Sequence, residues 1–135
     1  YSEINLKDVL SRNLHILASM SKSMNIKIDF FLSPFIYWSK KTENYSDEEK
    51  ILIKISEKSF VEKENNEVFL NMINKYQDFK NILEQICNLN KINFYDSNEY
   101  LSQNIRNKKD WLFVDTVHLT DLGNNHCAKY ISEKL

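Results

Sequence analysis

The order of the predicted elements places this sequence in the α/β class, with a layered fold and a largely parallel sheet. Hydrophobic periodicity predicts a helix, a strand, two helices, a strand and a final helix. Glycine and proline occur once each, so turns must be built mostly from Asn, Asp and Ser, which favours a helix-rich protein. With 135 residues, 42% of them hydrophobic, the chain has enough apolar material for one compact domain and too little length for two. We therefore interpret residues 1–135 as all or part of one domain.

The first two elements are an amphipathic helix and a hydrophobic strand. Apolar residues recur at intervals of three and four between Ile4 and Met24, which predicts a helix with one buried face. The segment from Ile26 to Leu32 alternates at first and is then continuously apolar until Pro34 ends it. A continuous apolar run predicts a strand that is buried on both faces.

Two helices follow, and the first of them has a recognisable start. Ser46 and Glu49 form an S-x-x-E capping box, in which each side chain bonds to the backbone amide of the other residue. A polar break at residues 62–67 separates this helix from a longer one. The longer helix is predicted from apolar and aromatic residues at helical spacing, which we interpret as core: Phe69, Met72, Ile73, Tyr76, Phe79, Leu83 and Ile86.

The C-terminal third supplies the second strand and the last helix. Residues 92–95 predict a short strand, and the polar residues 96–109 predict a loop or a weak helix. After the apolar residues 111–114, Thr120 is the predicted N-cap of the last helix. Gly123, in its first turn, is interpreted as a position where a side chain would obstruct close packing. The inner face of the helix is predicted to contain Ala128, Ile131 and Leu135.

Composition argues against two classes of partner. The 18 basic and 19 acidic residues are mixed along the chain and give a formal net charge of -1, which offers no basic surface to nucleic acid. The longest apolar stretch, residues 30–38, is interrupted by Ser33 and Pro34 and is far shorter than the roughly 20 residues that span a bilayer. We therefore expect neither nucleic-acid binding nor a membrane span.

Neither end of the chain nor its cysteines assign a compartment. The first residues carry no signal-peptide pattern, and the absence of an initiating methionine leads us to expect upstream sequence. Cys87 and Cys127 lie far apart and outside any C-x-x-C pair, so we expect buried free thiols, a usage compatible with the cytoplasm.

Asp115 and His118 are the candidate catalytic residues. Ester hydrolysis by a nucleophilic serine needs a base that removes the serine proton and a carboxylate that fixes the tautomer of that base. A carboxylate three residues before a histidine, in a loop ahead of a helix, can curl back to the imidazole Nδ1–H. That arrangement leaves Nε2 of His118 facing a substrate site.

A longer string surrounds this pair. Residues 113–128, Phe-Val-Asp-Thr-Val-His-Leu-Thr-Asp-Leu-Gly-Asn-Asn-His-Cys-Ala, resemble the last conserved block of SGNH (GDSL-type) hydrolases. In that block, D-x-x-H is followed by a Leu-Thr-Asp-x-Gly-Asn turn and a helix. Residues 30–35 are similar to the strand that ends in proline beside the active site of these enzymes.

The resemblance implies both a fold and an activity. It implies the C-terminal portion of a flavodoxin-like, three-layer α/β/α sandwich with a mostly parallel sheet. It also implies that Asp115 and His118 complete a Ser-His-Asp triad that hydrolyses a small-molecule or carbohydrate ester. No cofactor is expected.

Three blocks of the same family are missing from the sequence. The nucleophilic serine of the family lies in a Gly-Asp-Ser block, and its oxyanion donors are a glycine and the asparagine of a Gly-x-Asn-Asp block; none of these occurs here. We therefore assign no nucleophile and no oxyanion donor, and expect the N-terminal half of the same domain to supply them. The chain alone is predicted to have no esterase activity, because most of the rate enhancement depends on those groups.

Other interpretations of these residues stay open. His118 can be a capping or core histidine bonded to a backbone carbonyl, and Asp115 a cap for amides at a strand end. His15 and His126 are expected on helix surfaces. His118, His126 and Cys127 show no zinc-site spacing, so no metal is assigned. As a second function, the chain can belong to a degenerate relative that binds a ligand or partner without turnover.

Overall fold

Helices alternate with two short strands along the chain. The computed structural model describes residues 6–62, 70–71 and 73–135. In chain order its elements are α1 (Leu6–Met24), β1 (Asp29–Leu32), α2 (Ile36–Ser39), a 3₁₀ turn (Thr42–Asn44), α3 (Asp47–Glu62), α4 (Tyr76–Leu89), β2 (Asn93–Asp96), α5 (Ser97–Asn104) and α6 (Asp121–Lys134). In the described residues, β1 and β2 form a two-stranded parallel sheet. The predicted mixed α/β class is confirmed.

The described residues form two compact units. The first contains residues 6–32 and 76–95, which include α1, β1, α4 and most of β2. The second contains residues 33–62, 70–71, 73–75 and 96–135, which include α2, α3, α5 and α6. Asp115 and His118 belong to the second unit.

In the first unit, α1 packs against α4, and aromatic rings pair across the sheet. Phe30 of β1 stacks on Phe94 of β2 at 6.0 Å between ring centroids, and Phe31 stacks on Tyr95 at 4.8 Å. Because successive side chains of a strand point to opposite faces, one ring pair lies on each face of the sheet. The buried residues of the two helices are Leu14, Leu83, Ile86 and Cys87.

Both helices of this unit end without glycine. Asn25 (φ 54°) follows α1 and Lys91 (φ 57°) follows α4, each in the left-handed conformation that usually favours glycine. The amide after each of them bonds back to the helix, from Ile26 to the Ser21 carbonyl and from Ile92 to the Cys87 carbonyl, both at 2.9 Å. These bonds satisfy carbonyls that the helix end would leave unpaired.

The buried core of the second unit lies between its helices and the long loop before α6. The Ser46–Glu49 capping box is confirmed at the start of α3: the Ser46 amide donates to Glu49 Oε2 (2.9 Å) and the Glu49 amide donates to Ser46 Oγ (3.2 Å). At the start of α5, Asp96 accepts from the amides of Asn98 and Glu99. The buried core cluster consists of Ile36, Tyr45, Ile53, Leu101, Ile105, Leu112 and Phe113.

The first strand and the buried face of α1 differ from their predictions. The first strand begins at Asp29 rather than Ile26, and Leu32 is its one buried residue, because a sheet of two strands leaves the others half-exposed. The predicted buried face of α1 is exposed at Leu17, Met20 and Met24. The long third helix is predicted from Phe69; residues 63–69 and Met72 lie outside the described residues, residues 70–71 and 73–74 are helical, and α4 runs from Tyr76 to Leu89.

The predicted inner face of α6 is wrong. Ala128, Ile131 and Leu135 are exposed in the described structure, whereas Gly123 and Tyr130 are buried. Tyr130 stacks on Tyr100 of α5, with 4.2 Å between ring centroids. The close approach of Gly123 to the preceding loop sets the rotation of the helix, so the inward face contains the buried Gly123 and Tyr130 and the half-buried Cys127.

Candidate active site

Asp115 and His118 lie in a short loop that backbone pairing closes. Phe113 and Leu119 form an antiparallel bridge, and the Val114 amide donates to the His118 carbonyl at 2.9 Å. On the far side of the bridge, the Thr120 amide donates to the Leu112 carbonyl at 2.8 Å. The two ends of the loop are therefore held side by side. The residues between them, 114–118, form the site loop.

Within this loop the two candidate side chains meet. Nδ1 of His118 lies 2.6 Å from Oδ2 of Asp115. The other carboxylate oxygen, Oδ1, accepts from the backbone amides of Val117 (2.8 Å) and His118 (2.7 Å). Both oxygens of Asp115 are thus engaged, and the carboxylate is aimed at the imidazole. An ionised carboxylate only accepts hydrogen bonds, so Nδ1 carries the proton in this pair.

The hydrogen bonds around Asp115 also control its charge. Partial burial acts to raise the pKa of Asp115, but the bonds from the His118 and Val117 amides and from the imidazole outweigh it and hold the pKa below its ordinary value. Asp115 is therefore ionised at neutral pH. The same bonds show that Asp115 does cap nearby amides, as the alternative interpretation proposed, while pairing with His118 as well.

The free edge of the imidazole faces outward. The His118 side chain is 75% exposed and that of Asp115 is 48% exposed. Within the described part of the chain, Nε2 of His118 forms no hydrogen bond, so it is available to a reactant. An imidazole with Nδ1–H fixed by a carboxylate and Nε2 open is the arrangement of a general base.

The segment that follows β1 lies against this loop. The Ile36 amide, at the start of α2, donates to the Thr116 carbonyl at 3.0 Å. The segment is held in turn by the buried Asn98 side chain, whose Oδ1 accepts from the Phe35 amide (2.7 Å) and whose Nδ2 donates to the Ser33 carbonyl (3.1 Å). The sequence resemblance singled out this Ser-Pro-Phe segment, but nothing in the sequence pointed to Asn98.

A buried ion pair holds the residues that lead into the site loop. The carboxylate of Glu49 is 0% exposed and lies 2.5 Å from Nζ of Lys40, whose side chain is 3% exposed. Its Oε1 accepts from the amides of Leu112 (2.9 Å) and Phe113 (3.2 Å), the two residues just before the site loop. The capping box identified Glu49 in the sequence, but it gave no sign of this second contact, which joins residues more than sixty positions apart.

Gly123 brings α6 close to Leu112 and Leu119, on the two sides of the loop. A Cβ at Gly123 would lie 2.5 Å from the Leu112 backbone oxygen and 3.0 Å from Cδ2 of Leu119. Thr120 caps the helix as predicted, with its Oγ1 accepting from the Gly123 amide at 3.2 Å. The predicted packing role of Gly123 and the predicted cap are both confirmed.

The remaining candidates lie elsewhere. His15 is exposed, with Nδ1 3.1 Å from Asn90 Oδ1, and His126 is half-buried on α6. Cys87 is buried and Cys127 half-buried; both are free thiols whose pKa burial raises to about 11. Among the described residues, no group of three or more His, Cys, Asp and Glu side chains is arranged to hold a metal ion.

Two sequence comparisons add no relative to this picture. A search against models of protein families gives no match, and a search of curated proteins gives none either. Over the described residues, no helix combines the length and the apolar character needed to cross a bilayer.

Proposed function

We propose that this chain is the C-terminal part of an SGNH-type ester hydrolase, with His118 as the base and Asp115 as the orienting acid of a Ser-His-Asp triad. The observation that carries the proposal is the 2.6 Å contact between His118 Nδ1 and Asp115 Oδ2, with Nε2 left open, inside the string that resembles the last block of that family. The contact between Ile36 and Thr116 supports it, since Ile36 directly follows the second similar segment and bonds to the loop inside the first.

The rest of the domain follows from the same proposal. Residues 1–135 would form one domain together with an N-terminal half that adds strands to the two-stranded sheet and completes a three-layer α/β/α sandwich. That half would also bring the nucleophilic serine and the oxyanion donors, because the Gly-Asp-Ser and Gly-x-Asn-Asp blocks do not occur in this sequence. The substrate class is a small-molecule or carbohydrate ester.

The chemistry assigned to the pair balances in two steps. Nε2 of His118 takes the serine proton as the serine oxygen attacks the acyl carbon, and then gives that proton to the departing alcohol. In the second step it takes a proton from water, which attacks the acyl-serine, and returns it to the serine. Asp115 stays ionised throughout and stabilises the imidazolium that forms in each step.

The deciding experiment is His118→Ala in the protein that includes the segment with the Gly-Asp-Ser block. Turnover of p-nitrophenyl acetate should fall to background, while the circular dichroism spectrum stays unchanged because His118 is exposed. His126→Ala is the matched control, since it removes a histidine from α6 outside the site loop, and it should keep ordinary turnover. Ordinary turnover in His118→Ala would refute the proposal.

A second variant tests the role of the acid. Asp115→Asn should lower kcat by about 10⁴, because an amide no longer fixes the Nδ1–H tautomer. A loss of less than about tenfold would mean that Asp115 does not orient the base. The 135-residue chain by itself is expected to show no turnover, and His118-dependent hydrolysis by it would contradict the missing nucleophile.

A further inference from the structure

We infer that Glu49 is a positioning residue for the Asp115–His118 pair and acts through the backbone of residues 112 and 113. Its value for catalysis rests on the proposed function. The hydrogen bond that it controls, however, exists in this chain and can be measured without turnover.

The contacts of Glu49 exceed what a helix cap requires. A capping box needs one side-chain oxygen on the serine amide, and an uncharged glutamine can supply it. Glu49 instead presents a fully buried carboxylate to four donors: Oε2 accepts from the Ser46 amide and Lys40 Nζ, and Oε1 accepts from the Leu112 and Phe113 amides. Burying a carboxylate is costly unless it is paired and hydrogen-bonded. The geometry therefore points to a task beyond the cap.

That task is to hold both ends of the site loop. Leu112 and Phe113 lead into the loop, and they are also the residues on which its return depends, through the Thr120 amide on the Leu112 carbonyl and the Phe113–Leu119 bridge. One carboxylate oxygen thus holds the start of the loop directly. It holds the end of the loop indirectly, because Leu119 and Thr120 pair with Phe113 and Leu112.

Besides this anchor, the loop is held from outside by the Ile36 amide, which donates to the Thr116 carbonyl at 3.0 Å. His118 is largely exposed and Asp115 half-exposed, and the hydrogen bonds of both residues in the described structure are all made within the loop. The distance between them follows from the path of the backbone between Val114 and His118. A shift in the anchor at residues 112–113 is therefore expected to open the Asp115–His118 contact while leaving the helices in place.

Lys40 has a separate role, which makes the test possible. It neutralises the buried carboxylate and also donates to the Asp110 carbonyl at 2.8 Å. Removing Glu49 alone would leave a buried ammonium without its counter-charge, and unfolding would then obscure the result. Both residues are therefore changed together.

The experiment compares two double variants of the full 135-residue chain. Glu49→Gln with Lys40→Met removes both charges but keeps a side-chain oxygen for the Leu112 and Phe113 amides. Glu49→Leu with Lys40→Met removes the charges and the oxygen as well. The readout is the tautomer of His118, from the ¹⁵N chemical shifts of its ring nitrogens at a pH where the imidazoles are neutral; His15 and His126 serve as internal references.

The glutamine variant should keep Nδ1–H as the predominant His118 tautomer, as in the wild type. The leucine variant should lose that predominance, with no change at His15 or His126 and with helix content preserved. The inference is overturned if the leucine variant keeps the wild-type tautomer, or if the glutamine variant loses it to the same degree.

A milder variant keeps the inference testable if the leucine variant does not fold. Glu49→Asp retains the charge next to Lys40 but shortens the side chain by one bond, about 1.5 Å, so it cannot reach the same donors. The Nδ1–H fraction at His118 should fall, and Glu48→Asp, at the exposed neighbouring position, should leave it unchanged. An unchanged fraction in Glu49→Asp counts against the positioning role, whatever the outcome of the turnover assays.

Discussion

Replacing Gly123 with alanine tests whether α6 approaches the preceding loop as closely as the structure shows. The added Cβ would lie 2.5 Å from the Leu112 oxygen and 3.0 and 3.1 Å from two side-chain atoms of Leu119, whereas ordinary contacts begin at 3.4 Å. The Leu112 oxygen cannot retreat freely, because it accepts the Thr120 amide at 2.8 Å. The helix or the loop has to move instead.

The expected change in the free energy of unfolding combines one stabilising effect with two destabilising ones. In an unobstructed helix, Gly→Ala stabilises by about 1 kcal/mol. Here, overpacking costs about 2 kcal/mol, within the usual range for extra methyl groups. Weakening the bond between Leu112 and Thr120 costs about 1 kcal/mol more. The net expectation for Gly123→Ala is a loss of about 2 kcal/mol in the free energy of unfolding.

Urea unfolding followed by circular dichroism measures this loss. With a slope of about 2 kcal/mol per molar urea, the midpoint of Gly123→Ala should fall by about 1 M. Asn125→Ala is the matched control, because Asn125 is exposed on the same helix, and its midpoint should stay level or rise slightly. A Gly123→Ala midpoint at or above the wild-type value would refute the close approach.

Three further predictions concern ionisation and surface. Because the pKa of Asp115 is lowered in the folded chain, the stability it contributes is present above the ordinary carboxyl pKa near 4 and is lost as pH falls through its lower folded pKa. The stability difference between wild type and Asp115→Asn, measured by urea titration, should therefore shrink as the pH falls below about 5; a constant difference would contradict the lowered pKa. Burial raises the pKa of Cys87 and Cys127 to about 11, so iodoacetamide at pH 8 should label them about 100-fold more slowly in the folded chain than in urea, and equal rates by mass spectrometry would contradict their burial. Finally, the exposed apolar face of α1 at Met20 and Met24 should drive self-association of the isolated chain. The double variant Met20→Glu, Met24→Glu should therefore have a lower sedimentation coefficient at high concentration; an unchanged coefficient would mean that this face does not mediate the association.

Features that depend on near neighbours could be predicted from the sequence. The capping box of Ser46 and Glu49, the Thr120 cap and the curl of Asp115 toward His118 each span three residues, so local backbone geometry almost fixes them. The alternation of helices and strands follows from hydrophobic periodicity in the same local way.

What the sequence could not supply depends on contacts between distant residues. The second oxygen of Glu49 reaches Leu112 and Phe113, and Asn98 reaches Ser33 and Phe35, across more than sixty residues in each case. No local pattern encodes such pairs. The rotation of α6 was mispredicted for the same reason, since it is set by packing of the helix against the preceding loop rather than by the apolar residues of the helix.

The anchoring of Leu112 and Phe113 has a dynamic consequence. Both amides donate to a carboxylate that solvent does not reach, although neither residue belongs to a helix or to a regular strand. Their amide protons can exchange with deuterium only when the buried Glu49 site opens, which requires a cooperative loosening of the second unit. One residue further on, the Val114 amide donates to the His118 carbonyl, within the exposed loop. Exchange should therefore become faster beyond Phe113, and that change marks the boundary between the anchored residues 112–113 and the exposed loop that contains Asp115 and His118.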